Sequence, residues 1–191
     1  MPEASKRGGA SRPKTHAPRK RFGQNFLTDQ SVISAIARAI NPQKDDNVVE
    51  IGPGQGALTD VLFESGCAIK AIEIDRDLQS QLRVMFFNRD FTLFNFDALK
   101  FDFNELSDGD HDLRIVGNLP YNISTQIILK LIDNTKNIID MHFLVQKEVA
   151  EKICGAVGTK DWGKLAIKIA AFFESQILFD VPPDAFDIKP K

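Results

Sequence analysis

The 191-residue chain is poor in cysteine, has one tryptophan and one tyrosine, and carries no marked surplus of either charge, with a formal net charge of −2. Its two cysteines, Cys67 and Cys154, form no Cys-x-x-Cys pair, and His16, His111 and His142 are scattered. Neither a disulfide framework nor metal-ligand spacing results, so no metal is expected and a reducing, cytoplasmic location is the default. No apolar run approaches the roughly 20 residues that span a bilayer, and the N-terminus lacks the apolar block of a secretory signal, so no membrane association is expected. A transit peptide is disfavoured, because Pro2, Gly8, Gly9, Pro13 and Pro18 prevent an amphipathic helix in the first twenty residues. With 43% hydrophobic and 26% charged residues, the composition excludes collagen-like, coiled-coil and disordered chains and fits one globular domain.

The near-neutral average hides an asymmetry. Residues 1–21 hold Lys6, Arg7, Arg12, Lys14, Arg19, Lys20 and Arg21 against Glu3, a local charge of +6; the remaining 17 basic and 25 acidic residues give −8. Residues 1–20 read as a disordered basic arm, because such a stretch cannot bury enough apolar surface to offset its ordering entropy. Residues 21–191 read as the folded domain.

Along that domain, strands and helices alternate. Val32, Ile33, Ile36, Ala37 and Ile40 recur at helical spacing after Asp29, and Asn41-Pro42 stops the helix. Strands are expected at Asn47–Ile51, Ala68–Ile74, Phe91–Phe94, Leu113–Gly117, Met141–Val145 and Ile177–Val181. Helices are expected at Ala57–Glu64, Leu78–Phe87, from an N-capping Ser124 through Ile132, and at Glu148–Ile153 and Leu165–Phe173. Near-continuously apolar strands separated by helices predict an α/β domain, a parallel sheet with helices on both faces. Ligands of such sheets lie beyond the carboxyl ends of the strands.

Chemistry-bearing residues stand at those ends. Gly52-x-Gly54-x-x-Ala57 after the first strand lets backbone approach a ligand, and Glu73, 21 residues past Gly52, can accept hydrogen bonds from two ribose hydroxyls. A bare strand-to-helix turn, with Glu73 capping the next helix, remains the bland alternative. Asp97 follows the third strand, where a carboxylate can accept from an adenine amino group or simply make a turn. Gly117-Asn118-Leu119-Pro120-Tyr121 follows the fourth. An exocyclic amine is a poor nucleophile because its lone pair is delocalised into the base. The Asn118 side-chain oxygen and the Leu119 carbonyl, aimed at its N–H groups, would draw it toward tetrahedral geometry. Pro120 fixes the chain that presents the carbonyl, and Tyr121 offers a face on which an extruded base stacks.

With these blocks in order, the sequence from about Arg19 to Phe186 resembles the class I S-adenosylmethionine-dependent rRNA adenine N6-dimethyltransferases, specifically the small-subunit dimethyltransferase A family, whose loss gives kasugamycin resistance. Arg19-Lys20-Arg21-Phe22-Gly23-Gln24-Asn25-Phe26-Leu27 is similar to its opening motif, Glu50-Ile51-Gly52-Pro53-Gly54 to its cofactor loop, and Gly117 to Ser124 to its catalytic loop. Gln146-Lys147-Glu148-Val149 and Val181-Pro182-Pro183-Asp184-Ala185-Phe186 complete the series. The resemblance implies a Rossmann-like sheet and S-adenosylmethionine contacts from Asn25, Leu27, Gly52, Gly54, Glu73, Asp97 and Asn118. It also implies a catalytic set of Asn118, Leu119, Pro120 and Tyr121, with Phe186 stacking on the opposite face of the target base. The implied activity is dimethylation of two adjacent adenines in the 3′-terminal stem-loop of small-subunit rRNA, within an immature ribosomal subunit, by a monomer with a role in subunit biogenesis.

The family continues with a seventh, antiparallel strand and a small helical domain; the chain ends at Lys191, where that strand should begin, and Ile188 replaces the usual Pro. A catalytic domain lacking its last strand, with an exposed sheet edge, is therefore expected. Large-subunit methyltransferases of the macrolide-resistance type share the Gln-Asn-Phe-Leu start but fit Gly-Pro-Gly, Leu119 and Gln146-Lys147-Glu148 less well. A mainly non-catalytic ribosome-assembly factor is a third possibility, and a nicotinamide-linked oxidoreductase rests only on the glycine fingerprint.

Overall fold

In the computed structural model, which describes residues 25–107 and 112–189, the first helix, α1 (Gln30–Ile40), opens on Asp29. The Asp29 carboxylate accepts from the Ser31 and Val32 N–H groups, satisfying two orphan donors of the first turn. The helix stops at Asn41, whose left-handed backbone (φ 49°) precedes Pro42. The N-terminal arm, residues 19–24 of the opening motif and His111 lie outside the described residues.

Five strands follow: β1 (Asn47–Ile51), β2 (Ala68–Glu73), β3 (Phe91–Asn95), β4 (Leu113–Asn118) and β5 (Ile138–Leu144). They form one parallel sheet in the order β3-β2-β1-β4-β5, so the chain winds outward from β1 and then restarts on its other side at β4. The crevice between β1 and β4 is the point where the strand order reverses, which is where ligands of open α/β sheets bind.

The alternation along β1 splits the core. Val49 and Ile51 join Ile115, Leu119 and the α4 (Ser124–Asn134) residues Ile127 and Leu131 on one face. Val48 joins Leu62, Ile69, Leu82 and Phe86 on the other, beneath α1, α2 (Ala57–Leu62) and α3 (Arg76–Met85). Each face excludes water, which is why β1 is buried at all five positions. Arg114 pins the far end of β4, donating to both Asp140 oxygens on β5, to Asp46 and to the Ile40 and Asn41 carbonyls.

Two expectations fail. Ile177–Val181 forms no strand; the apolar run is there, but Ile177, Leu178 and Phe179 remain 47%, 49% and 42% exposed and join no ladder. A strand needs a neighbour for its N–H and C=O groups, and β5 is the sheet edge among the described residues. Ser124 is not the N-cap but the first helical residue, with Ile123 at the cap, because the Pro120 carbonyl already accepts the Ile123 and Ser124 N–H groups and starts the turn there. Short helices α5 (Lys147–Ile153) and α6 (Lys164–Ala170) complete the domain.

Candidate active site

A cleft of about 1390 Å³ runs along the carboxyl ends of the strands; Gly52, Glu73 and Asp97 line one part, and Asn118, Tyr121 and Phe186 another. On the first part, Gly54 adopts a left-handed backbone (φ +58°), and a Cβ there would stand 3.1 Å from the Phe26 ring. A side chain would therefore be strained and crowded at the one turn that carries backbone into the cleft. The Gly54 N–H points at Glu73 Oε2, 3.4 Å away. Glu73 Oε1 accepts the Asp75 N–H at 2.8 Å, while Asp75 itself caps α3, so Glu73 is not the helix cap. The Glu73 carbonyl is braced by the Gln79 and Asn95 side-chain amides.

Burial leaves Glu73 only 5% exposed and raises its pKa, against the lowering effect of the N–H groups of Asp75 and Gly54. Each oxygen takes one of these N–H donors and has lone pairs to spare, so the carboxylate can still accept two hydroxyls. Beside it, Glu50 is 2% exposed, accepts the Thr59 hydroxyl at 2.6 Å and faces Glu73. Desolvation, opposed by Thr59 and reinforced by the Glu73 charge, pushes the Glu50 carboxyl up to about 7. Of the two buried carboxyls, Glu73 keeps lone pairs open to a ligand's hydroxyls, while Glu50 is engaged by Thr59 behind it. Asp97 Oδ1 accepts the Leu99 N–H in a turn, and its neighbour Phe96 and Glu73's neighbour Ile74 stay 48% and 43% exposed on the cleft, an apolar slot for a planar ring.

On the second part, Asn118 Nδ2 donates to the Asn25 carbonyl at 2.9 Å. The opposite amide orientation would set oxygen against oxygen, so Oδ1 is the atom left to accept from a ligand. The Leu119 N–H donates to the Leu144 carbonyl, and the Pro120 carbonyl is held by α4, which together fix the peptide that carries the Leu119 carbonyl. Tyr121, half-buried, is hydrogen-bonded to the Asn25 side chain, and burial raises its pKa, so the phenol stays protonated near neutrality. Phe186 reaches the same cleft but is 8% exposed, packed with Leu27, Ile33 and Ala185, and must rotate outward before its face can meet a base.

The structure thus brings Asn25, Leu27, Gly52, Gly54, Glu73, Asp97, Asn118, Leu119, Pro120, Tyr121 and Phe186 to one cleft. Sequence reasoning missed Thr59, and it placed Glu50 in the cofactor loop and Gly117 in the catalytic loop without giving either a role of its own. A Cβ at Gly117 would meet the Ile51 carbonyl oxygen at 2.5 Å, so only glycine lets β4 approach β1 at the mouth of the crevice. The double role of Asn25, holding both Asn118 and Tyr121, carries no local signal, since its partners lie more than ninety residues away in the chain. Among the described residues no cluster of three or more His, Cys, Asp or Glu is arranged to hold a metal ion, and no helix is long and apolar enough to cross a membrane.

Comparison with known proteins identifies the family and the fold. The profile of the ribosomal RNA adenine dimethylase family matches residues 15–191. The "Ribosomal RNA small subunit methyltransferase A" of Thiobacillus denitrificans is 51% identical over 176 residues, covering 92% of this chain and 68% of the relative. The protein of that name from Pseudomonas savastanoi is 50% identical over 177 residues, covering 92% and 66%. The chain therefore spans about two thirds of the length of these relatives. Among solved structures, the 23S rRNA methyltransferase ErmE is similar at a TM-score of 0.76 and 28% identity, covering 87% of this chain and 66% of that one. A dimethyladenosine transferase from Plasmodium falciparum matches at 0.75 and 27%, covering 87% and 59%.

Proposed function

Because the chain belongs to the ribosomal RNA adenine dimethylase family, we propose that it is the catalytic domain of an S-adenosylmethionine-dependent enzyme that dimethylates N6 of two adjacent adenines in the 3′-terminal stem-loop of small-subunit rRNA. Its substrate is the immature subunit, it acts as a cytoplasmic monomer, and it serves ribosome biogenesis. The observation that carries this reading is the sense of the Asn118 amide: with Nδ2 bound to the Asn25 carbonyl, Oδ1 is reserved for an amine N–H. The small-subunit assignment is supported by relatives near 50% identity that bear that name.

The residues fit the cofactor. Glu73 would hold the ribose hydroxyls, Asp97 the adenine amino group beside Ile74 and Phe96, and the Gly52 to Gly54 turn, with Asn25, Leu27 and Asn118, the remainder, all of them lining the same cleft. When bound, S-adenosylmethionine supplies a methyl group on a positively charged sulfur, a good electrophile that needs no activation by the protein. What this chain must supply is the activation of the nucleophile, the N6 amine of the target adenine. In the first transfer Asn118 Oδ1 and the Leu119 carbonyl accept the two N–H groups of the target amine, and in the second one of them accepts the single N–H that remains, turning the lone pair out of the ring plane and stabilising the positive charge that develops on nitrogen. Tyr121 holds the extruded base by its face, and Phe186 forms the second wall after rotating from its pocket. No general base is needed, because the nitrogen becomes strongly acidic once methylated and cationic and gives its proton to water, while the two amide oxygens only hydrogen-bond it. The basic residues among positions 1–21 add positive charge that attracts phosphate backbone, so RNA affinity falls steeply with salt.

Transfer of labelled methyl groups to undermethylated small subunits tests this, using the chain alone and the chain extended by the C-terminal domain of a relative. Label in N6,N6-dimethyladenosine of small-subunit rRNA is expected. Label confined to large-subunit rRNA, or no transfer by the extended chain, would overturn the assignment; failure of the short chain alone would place RNA grip in the added domain.

A further inference from the structure

The segment that holds Asn118 and Tyr121 has no helix or strand of its own; it is held by the other end of the described chain. Leu27 and Phe186 form an antiparallel bridge. The Thr28 and Asp29 N–H groups donate to the Ala185 carbonyl at 2.8 and 3.2 Å, and the Asp187 N–H donates to the Phe26 carbonyl at 2.9 Å. The Asp187 carboxylate adds one more bond, accepting the Phe26 N–H at Oδ1, 2.8 Å away.

That last bond matters because of which peptide it grips. The Phe26 N–H and the Asn25 C=O belong to a single planar unit, and in a trans peptide they point in opposite directions. Asp187 therefore holds one side of this plane while Asn118 Nδ2 donates to the other, at 2.9 Å. Fixing the N–H fixes the direction of the carbonyl, and the carbonyl direction fixes the Asn118 amide. A chain of hydrogen bonds also polarises along its length: a carboxylate on the N–H makes the carbonyl a better acceptor, and a stronger bond to Nδ2 makes Asn118 Oδ1 more basic.

We propose that Asp187 is a positioning residue for methyl acceptance, acting through the Asn25–Phe26 peptide to set the orientation and acceptor strength of Asn118 Oδ1; this rests on the functional reading above. Asp187 is exposed, and its Oδ1 also accepts the neighbouring Ile188 N–H at 2.7 Å, a local contact at the surface, so its replacement leaves the core intact.

The test compares Asp187→Ala and Asp187→Asn with the unaltered chain in four measurements: single-turnover methyl transfer at saturating S-adenosylmethionine, calorimetric cofactor affinity, thermal unfolding, and hydrogen exchange of the Asn118 side-chain amide in the free protein. Loss of register at a site that demands tight alignment is expected to slow Asp187→Ala by on the order of tenfold or more. Cofactor affinity and thermal midpoint should be unchanged, and Asn118 amide exchange should be faster. Asp187→Asn keeps an oxygen acceptor and should recover most of the rate. An Asp187→Ala variant with the unaltered rate and exchange, or one whose cofactor affinity and thermal midpoint fall in step with its rate, overturns the proposal. If neither the unaltered chain nor its extended form transfers a methyl group, the functional reading fails, and the exchange measurement, which involves no substrate, decides the Asp187 link by itself.

Discussion

The two parts of the cleft are held together in different ways. On the Glu73 side, the decisive bonds are local: Glu73 to Asp75 spans two residues, Glu50 to Thr59 nine, and Gly54 to Glu73 nineteen. On the Asn118 side they are distant: Asn118 to Asn25 spans 93 residues, and Phe26 to Asp187 spans 161. The first part is a turn and two strand ends that assemble wherever β1 and β2 pair. The second exists only when both ends of the described chain have closed over β4. A grip on the cofactor and a geometry for the acceptor are thus separable physical problems, and substitutions should separate them.

The sharpest break is expected from Asn118→Ala. Removing one acceptor from a developing ammonium should cost about 10²- to 10³-fold in the methyl-transfer rate, by analogy with the loss of one donor from an oxyanion site. Calorimetric affinity for S-adenosylmethionine should stay nearly intact. Glu73→Ala should do the reverse, weakening cofactor binding by roughly 10- to 100-fold for the loss of charge-assisted hydrogen bonds worth about 1.5–3 kcal/mol; the same calorimetry reads it.

The smallest effect concerns stability rather than activity. The Glu50 pKa rises on folding from an ordinary 4.5 to about 7, chiefly through burial, so the folded protein binds the proton more tightly than the unfolded chain. Stability from this group is fully present below pH 4.5 and is lost as pH rises through about 7. Glu50→Gln keeps the acceptor for Thr59 and removes the charge. Urea unfolding should find it more stable relative to the unaltered chain at pH 8 than at pH 5, by roughly 2–3 kcal/mol at most. An equal difference at both pH values would mean that Glu50 ionises freely in the fold.

The same contrast explains what could be read beforehand. The glycine turn, Glu73 and Asp97 announce themselves because each is a short pattern at a strand end, and the Asn118 to Tyr121 block does so because the chemistry of an amine needs those groups in sequence. All five strands of the sheet follow from β-branched and aromatic runs. Ile177–Val181 looks no different from them, yet forms no ladder, because pairing depends on a neighbour and not on composition. Ser124 was misplaced by one residue because the Pro120 carbonyl, not a side chain, starts α4. Asn25 resembles a ligand contact in the sequence, and only the fold reveals that it anchors Asn118 and Tyr121. Glu50 drew no attention as an acid because its partner, Thr59, sits in the first turn of the next helix, and its burial is a property of the closed sheet.

Single-turnover methyl transfer to undermethylated small subunits, measured across a range of S-adenosylmethionine concentrations, tests the separation of grip and geometry most directly. Excess cofactor should restore Glu73→Ala to nearly the unaltered rate and leave Asn118→Ala slow at every concentration. Rescue of both variants, or of neither, would contradict it.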